Sequence, residues 1–194
     1  MNSNISLRGC VQIFDDAMSP DFCQQMLHAF HALARFHRSN GKGIRPGHEH
    51  SAWTELDFTA LCEAPFRQML LAQMHHFAQQ YNQRLGLTLQ IPATDQLDQL
   101  VIKRYRPQPA EQPAEAFQLH FDAIGQVANR YLVFLWYLND VQEGGETVFP
   151  DLALRIAPKT GRLLMFPPYW MFQHEGLPPI SGDKYIFSTY YLFR

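Results

Sequence analysis

The clearest structural signal in the chain is an eight-residue apolar run, Tyr131-Leu-Val-Phe-Leu-Trp-Tyr-Leu138. Such a short run without polar interruption is typical of a strand that is buried on both of its faces. Other short β-rich segments lie on both sides of it, and residues that favour turns separate them. We predict these further strands at 100–105, 118–122, 147–149, 152–156, 162–166, 171–174 and 184–193. Many short strands with regular turns indicate a sandwich or a barrel rather than a parallel α/β sheet.

The residues ahead of this region follow helical periodicity instead. Ser19-Pro20 supplies a helix start, because serine caps free amide groups and proline suits the first helical position. Apolar residues then recur at helical spacing, which predicts a helix with one apolar face. A second helix is predicted to begin near Pro65, and Gly86 is well placed to end it. The fold class is therefore mainly β with N-terminal helices, an α+β arrangement.

The segments between these elements are interpreted from their composition. Residues 11–14 look like a short strand, whereas 39–55 is rich in glycine, histidine and polar residues. We interpret 39–55 as a long loop with one strand around 51–53. Residues 107–116 are rich in proline, alanine and Glu/Gln, which is typical of an exposed mobile loop.

The bulk properties fit one globular domain. Its 194 residues divide into a helical support region at 1–98 and a β core at 99–194. No stretch could span a bilayer, and the start lacks a secretory pattern. The net charge is −2 without a Lys/Arg cluster, so a nucleic-acid partner is not expected. Three widely spaced cysteines argue against disulfides and a CxxC zinc site, which favours a cytoplasmic location.

The tripeptide His120-Phe-Asp122 is a candidate metal motif. Alternate side chains of a strand share a face, so His120 and Asp122 could meet one metal. His174 lies far along the chain, where a barrel could bring it back to them. Two imidazoles and one carboxylate form the facial set that leaves three positions open on iron(II). Each observation also has an ordinary alternative, because an HxD tripeptide is common and a lone histidine is more often hydrogen-bonded than metal-bound.

Lys184 lies ten residues after His174, at the start of the last predicted strand. A lysine that points into an apolar barrel is energetically unfavourable unless it meets an anion. A dicarboxylic co-substrate would supply that anion. The alternative is a solvated charge at a strand edge, and the side chains that alternate with it, Ile186, Ser188 and Tyr190, allow either orientation.

These residues belong to a longer series of motifs in a fixed order. The series is Arg104-Tyr105, His120-Phe-Asp122, Tyr137-Leu-Asn139, Gly144-Gly-Glu-Thr147-Val-Phe-Pro150, Pro158 to Gly161, Leu163-Leu-Met-Phe-Pro167, His174-Glu-Gly and Gly182-Asp-Lys184-Tyr-Ile. With this order and these gaps, the C-terminal half resembles the prolyl 4-hydroxylase-like branch of the iron(II)/2-oxoglutarate-dependent dioxygenases. The opening, residues 11–29, is also similar to the strand-then-helix start that is usual in this family.

The resemblance implies a double-stranded β-helix, a jelly-roll barrel buttressed by two long helices. It implies that His120, Asp122 and His174 bind Fe(II). Lys184 is implied to form the salt bridge to the distal carboxylate of 2-oxoglutarate, the co-substrate. Dioxygen would be the second co-substrate, and ascorbate is expected as a reductant.

The resemblance assigns four further residues, and a fifth is a candidate through its position in the sequence. Tyr105, Tyr137 and Thr147 match positions that line the co-substrate pocket, although each could equally serve core packing. Arg130 matches an arginine that faces the substrate in some relatives. Trp170 belongs to an aromatic group ahead of the third metal ligand, which could form a substrate wall or simply pack.

Three functions remain open at this point. The first is hydroxylation of a peptidyl proline or a similar residue, with decarboxylation of 2-oxoglutarate to succinate. The second is the same chemistry on a small molecule, such as a free amino acid or a biosynthetic intermediate. The third is a non-catalytic metal-binding barrel, which the intact triad and Lys184 disfavour. The loop at 107–116 is longer than in many relatives, which puts the substrate in doubt more than the chemistry.

Two other metal chemistries are less favoured. Asp122 is intact, which speaks against the halogenating relatives that lose this carboxylate. His48-Glu49-His50 resembles a metal tripeptide, but an HxH in a flexible loop without a third ligand is more often a surface feature. A second metal site is therefore not expected there.

Overall fold

The computed structural model describes residues 6–44, 47–107 and 115–194. Two α-helices occur in these ranges, α1 (Pro20–Ala32) and α2 (Ala64–Leu85), together with short 3-10 helices. The strands are β1 (Gln12–Phe14), β2 (Arg38–Gly41), β3 (Ala52–Asp57), β4 (Val101–Tyr105), β5 (Phe117–His120), β6 (Arg130–Tyr137), β7 (Thr147–Phe149), β8 (Leu154–Ile156), β9 (Leu163–Phe166), β10 (His174–Gly176) and β11 (Lys184–Leu192).

The strands form two antiparallel sheets. The larger sheet has seven strands in the order β1-β9-β6-β11-β4-β3-β2, and the smaller has four in the order β5-β10-β7-β8. In the described ranges both sheets are open, and neither closes into a barrel. The predicted fold class, mainly β with N-terminal helices, is thus confirmed, whereas the jelly-roll arrangement stays a prediction.

Local signals mark the start of α1 and the end of α2. The Ser19 hydroxyl accepts a hydrogen bond from the Phe22 amide at 3.2 Å, so it caps α1, and Pro20 is the first helical residue. Gly86 caps α2 in the left-handed conformation, with φ 61°, which only glycine adopts without strain. No helix of the described ranges is long and apolar enough to cross a membrane.

The β6 strand separates two hydrophobic cores. Side chains on one face, such as Phe134 and Trp136, pack in a core that also holds Phe30 of α1 and Leu70 of α2. Side chains on the other face pack in a second core, which includes Val133, Leu135 and Tyr137 of β6 and Phe149 of β7. The apolar run is therefore buried on both faces, as predicted.

The segment at 39–55 differs from the prediction. Most of it was expected to be loop, but Arg38–Gly41 forms β2, which pairs with β3 from Arg38 opposite Glu55 to Gly41 opposite Ala52. The sequence does not predict β2 because the strand lacks apolar alternation. Backbone pairing and polar cross-strand contacts stabilise it instead, such as the hydrogen bond from Asn40 Nδ2 to Glu55 Oε1 at 3.1 Å. The N-terminal half thus contributes β1, β2 and β3 to the larger sheet.

One other expectation differs in detail, and one is not tested. The segment 171–174 is largely a 3-10 helix, Trp170–Phe172, and the strand begins only at His174. Its turn forms because the Phe172 amide donates to the Tyr169 carbonyl at 2.8 Å. The expected mobile loop at 107–116 lies mostly outside the described residues.

Candidate active site

The three predicted metal ligands come together between two strands of the smaller sheet. His120 ends β5, and His174 begins β10 directly opposite it in the antiparallel pairing. Asp122 follows β5 by two residues, and its carboxylate lies between the two rings. Its Oδ1 is 3.6 Å from His120 Nε2, and its Oδ2 is 3.6 Å from His174 Nε2. One ligand atom from each residue lies within 4.8 Å of the other two, so the group could hold one ion.

Both imidazoles present the nitrogen that a metal requires. His120 Nδ1 lies 2.8 Å from the Gln118 carbonyl oxygen, and His174 Nδ1 lies 3.1 Å from that of Phe172. A carbonyl only accepts, so Nδ1 carries the proton and Nε2 keeps its lone pair. Burial lowers the pKa of His174 to about 4, which leaves the ring neutral at pH 7.

The Asp122 carboxylate has one satisfied and one unsatisfied oxygen. Oδ1 accepts a hydrogen bond from the Tyr190 hydroxyl at 2.8 Å, whereas buried Oδ2 has no hydrogen-bond partner in the described ranges. Burial alone would raise the pKa of Asp122, but His174 and His120 lower it below its usual range. A buried ionised oxygen without a partner is costly, and a cation would compensate for it. These residues therefore fit a divalent metal.

Lys184 is buried beside this group. It begins β11 opposite Tyr105 of β4, and only 3% of its surface is exposed. Its Nζ lies 5.4 Å from the Tyr105 ring centroid and 5.7 Å from that of Tyr137. Burial lowers the pKa of Lys184 to about 7, and within the described ranges no acidic side chain forms an ion pair with it. The alternative of a solvated strand-edge charge is therefore wrong.

One cavity joins Lys184 to the three candidate ligands. Its wall includes Lys184, Ile186, Ser188 and Tyr190, which share one face of β11 because side chains alternate along a strand. Gly176 of β10 lies beside the lysine, and a Cβ at this glycine would be in ordinary contact with the lysine Nζ, at 3.7 Å. The cavity thus places a buried cation without an anionic partner beside a candidate metal site.

The other predicted co-substrate residues have different positions. Tyr105 and Thr147 line the cavity, and both side chains are buried. The Tyr137 hydroxyl donates to Thr147 Oγ1 at 2.7 Å, so its hydrogen-bonding need is met within the protein. Tyr137 can therefore orient Thr147, but its own hydroxyl is engaged.

Arg130 lies on the outer side of the candidate ligands. Its Nε and Nη2 contact Asp98 Oδ2 at 2.6 and 2.5 Å, and its guanidinium carbon lies 3.9 Å from the Tyr190 ring centroid. Its Nη1 also donates to the Asp122 carbonyl at 3.3 Å. Trp170 is 66% exposed, and the structure does not bring it into the walls of the cavity.

A groove opens from the candidate ligands toward the surface. Segments far apart in sequence line it, among them Gly47, Glu55, Asp98, Val127 and Arg130. His48 also lies there, with its ring centroid 5.1 Å from that of Phe117. Within the described ranges, the group of His120, Asp122 and His174 is the one that could hold a metal, and it does not include His48.

Sequence reasoning missed several residues of this site. The sequence names Ser188 and Tyr190 only as residues that alternate with Lys184 along the predicted last strand, and does not assign them to the site. Lys103 lines both the cavity and the groove, and it alternates with Tyr105 on β4. Asp98 carried no signal in the sequence, since its contact with Arg130 depends on strand pairing.

Comparison with known proteins finds one matching family model and several similar proteins. Residues 102–192 match the sequence model of the 2OG-Fe(II) oxygenase superfamily. A putative prolyl 4-hydroxylase of Acanthamoeba polyphaga mimivirus is 36% identical over 73 residues, which are 34% of this chain and 30% of that protein. Prolyl 4-hydroxylase subunit alpha-2 of Gallus gallus is 29% identical over 92 residues, 39% of this chain and 17% of that protein. The chain thus matches less than a third of either relative's length.

Solved structures show the same fold over nearly the whole chain. A viral collagen prolyl hydroxylase from Paramecium Bursaria Chlorella virus-1 has a TM-score of 0.59 and 19% identity, with 93% of this chain and 94% of that one covered. A Pseudomonas putida prolyl-4-hydroxylase has a TM-score of 0.66, 16% identity and coverage of 95% and 93%. A Trichoplax adhaerens prolyl hydroxylase in complex with a hypoxia inducible factor peptide has a TM-score of 0.70, 17% identity and coverage of 95% and 84%.

Proposed function

We propose that this chain, which carries a 2OG-Fe(II) oxygenase domain of the prolyl hydroxylase type at residues 102–192, hydroxylates an unactivated C–H bond. The observation that carries the proposal is the shared cavity. It combines two imidazoles whose Nε2 atoms lie near the Asp122 carboxylate, a buried carboxylate oxygen and a buried lysine. Within the described ranges the oxygen has no hydrogen-bond partner and the lysine forms no ion pair. The carboxylate and the lysine are each unfavourable alone, and iron(II) with a dicarboxylic co-substrate would satisfy both.

His120, Asp122 and His174 would hold the iron(II). Three protein ligands leave positions open on the metal, as oxygenases of this type require. When bound, the metal supplies the oxidising chemistry, in which dioxygen and 2-oxoglutarate are consumed and succinate and carbon dioxide are formed. One oxygen atom of dioxygen enters succinate, and the other converts the C–H bond into a C–OH group. The role of the protein is to hold the reacting C–H bond in place and to exclude water. Ascorbate would serve as the reductant that keeps the iron in its active state.

Lys184 would bind the distal carboxylate of 2-oxoglutarate. A charged hydrogen bond in a buried site is strong, and a lysine that is already desolvated loses little on binding. Tyr105 and Thr147 line the same cavity and would contact the co-substrate, with Thr147 held in place by Tyr137. We further infer that the two sheets around this cavity correspond to a double-stranded β-helix.

A peptide with a proline or a similar residue is the substrate we propose. The names of the similar proteins support it, as does the open groove that leads from the candidate ligands between distant chain segments. Arg130 lines that groove and would contact the substrate, while the exposed Trp170 would contact it outside the cavity. A small-molecule substrate is the second candidate, and a non-catalytic metal-binding barrel is the third.

A product assay separates these functions. The chain would be incubated with iron(II), 2-oxoglutarate and ascorbate in air, with either proline-containing peptides or free amino acids. Succinate formation together with a mass gain of one oxygen atom in a peptide supports the proposal. The same gain in a free amino acid supports the small-molecule function. No succinate and no mass gain with any substrate, from folded protein with iron bound, would favour the non-catalytic barrel.

A further inference from the structure

The two oxygens of the Asp122 carboxylate have different surroundings. Tyr190, on β11, donates its hydroxyl hydrogen to Oδ1 at 2.8 Å, because an ionised carboxylate can only accept. Oδ2 is buried, has no hydrogen-bond partner in the described ranges and lies 3.6 Å from His174 Nε2. One oxygen is thus engaged by a protein donor, and the other is left for a ligand.

The Tyr190 ring is held on its far side. The Arg130 guanidinium lies 3.9 Å from the ring centroid, a distance at which a cation is attracted to the ring face. Arg130 is in turn fixed by two contacts to Asp98 Oδ2, at 2.6 and 2.5 Å. A backbone hydrogen bond also joins Asp98 to Tyr190, because the Asp98 amide donates to the Tyr190 carbonyl at 3.1 Å. The tyrosine hydroxyl therefore has little freedom to leave the carboxylate.

We propose that Tyr190 is a positioning residue, which engages Oδ1 of Asp122 so that the carboxylate binds the metal through Oδ2 alone. This inference rests on the proposed function. A carboxylate that bound through both oxygens would occupy one more coordination position, and fewer would remain for co-substrates. Partners that orient metal ligands in this way typically change metal affinity by about 10- to 100-fold when they are removed.

The adjacent residue offers a matched control. Tyr191 is buried, its hydroxyl has no hydrogen-bond partner in the described ranges, and its side chain lies in the core against the helices. Tyr190→Phe and Tyr191→Phe thus remove the same atom from neighbouring positions on opposite faces of β11. A purely structural role of the tyrosine hydroxyl would change stability, but it would leave the coordination of the metal unchanged.

The test is an oxygen-free titration with cobalt(II), without co-substrate, that records affinity and the visible spectrum of the bound ion. We expect Tyr190→Phe to bind roughly 10- to 100-fold more weakly, with a changed spectrum, and Tyr191→Phe to match the wild type in both respects. Should Tyr190→Phe fail to fold, Arg130→Lys keeps the charge beside Asp98 but loses the planar stacking. It should then weaken binding in the same direction by a smaller factor.

The outcomes separate this inference from the proposed function. If His174→Ala abolishes binding while Tyr190→Phe, or Arg130→Lys in its place, matches the wild type in affinity and spectrum, the positioning role is overturned and the metal site stands. If the folded wild type binds no cobalt(II) or iron(II), both the metal site and the positioning role are overturned.

Discussion

At the scale of single residues, Lys184 links stability to function. A buried lysine without an anionic partner destabilises the protein without ligand, yet it is the group that would hold the co-substrate. The unfavourable free energy of burying this ammonium group arises in the cavity where a dicarboxylic acid would bind and offset it. This pairing of local instability with a candidate role is typical of functional sites.

Lys184→Met tests both consequences. Without ligand, the variant should be more stable by about 1–3 kcal/mol, because methionine has a similar shape and no charge. It should also bind 2-oxoglutarate roughly 10- to 100-fold more weakly, since a charged hydrogen bond is lost. Chemical unfolding and oxygen-free titration measure the two effects. Lys159→Met, at an exposed ion pair with Asp15, should change neither quantity appreciably, and equal weakening in both variants would exclude a specific role for Lys184.

The acid–base state of the same lysine predicts a pH dependence. Burial lowers the pKa of Lys184 from 10.5 to about 7, so the unfolded chain binds more protons than the folded one between these values. This group therefore makes folding stability rise with pH across that window. A bound dicarboxylate needs the charged lysine, so affinity for 2-oxoglutarate should fall above pH 7, by up to roughly tenfold per unit.

Titrations of the oxygen-free, iron-loaded protein on both sides of pH 7 measure this effect. In Lys184→Arg the guanidinium stays charged throughout, so the decline should disappear. A decline of the same steepness in Lys184→Arg would show that another group titrates.

At this scale the sequence offers candidates through residue type and order along the chain. His120, Asp122, His174 and Lys184 stand out because their order and gaps resemble one family of dioxygenases, and the structure brings all four to one cavity. Tyr190 was noted only as a neighbour in the strand pattern, since its contact with Asp122 depends on how β11 lies beside the loop after β5. A tyrosine can lie in a hydrophobic core, on the surface or beside a site, and its sequence context does not distinguish these roles.

At the scale of elements, β11 organises the site. Its alternation directs Lys184 and Tyr190 into the cavity, while Phe187 and Tyr191 pack toward the helices. One strand thus provides both the lysine proposed to bind the co-substrate and the tyrosine that contacts the Asp122 carboxylate. Its register against β4 and β6 fixes where these groups lie relative to each other.

The β2–β3 hairpin supplies an element-scale prediction. At Gly41 φ is 102°, and a Cβ there would lie 2.1 Å from the Ser51 carbonyl oxygen, so Gly41→Ala must displace backbone. Gly43 also has a positive φ, 76°, but a Cβ there meets nothing within 4 Å. We expect Gly43→Ala to cost about 1 kcal/mol and Gly41→Ala clearly more, as measured by chemical unfolding. An equal loss of unfolding free energy in the two variants would mean that the backbone at Gly41 moves to accommodate a Cβ at little energetic cost.

The helices were easier to predict than the strands. Ser19 and Gly86 are local signals, because a cap acts within one turn of the chain. Strand β2 was missed because its polar residues resemble a loop, and its pairing with β3 is stabilised by backbone hydrogen bonds that leave no pattern in the sequence. The 3-10 helix before His174 was missed for a different reason. Its aromatic residues favour a strand in the sequence pattern, but a local backbone hydrogen bond stabilises the helical turn.

At the scale of the whole molecule, two cores share β6. The core on the helix side gives the larger sheet its support, and the core between the sheets surrounds the cavity. The apolar run of β6 predicted burial on both faces, but the order of strands in each sheet could not be predicted. That order depends on pairings between distant segments, which a pattern within one segment does not encode.

The most direct test of the central claim is optical. Oxygen-free protein would be mixed with iron(II) and then 2-oxoglutarate, and the weak visible charge-transfer band of a chelated keto acid would be recorded. We predict a band in the wild type and in His75→Ala, a control at a histidine whose Nε2 lies 3.3 Å from Oδ1 of the exposed Asp95. The band should be absent in His174→Ala and should need more 2-oxoglutarate in Lys184→Met. No band in folded wild-type protein with iron bound would contradict the assignment of this chain as a 2-oxoglutarate-dependent oxygenase.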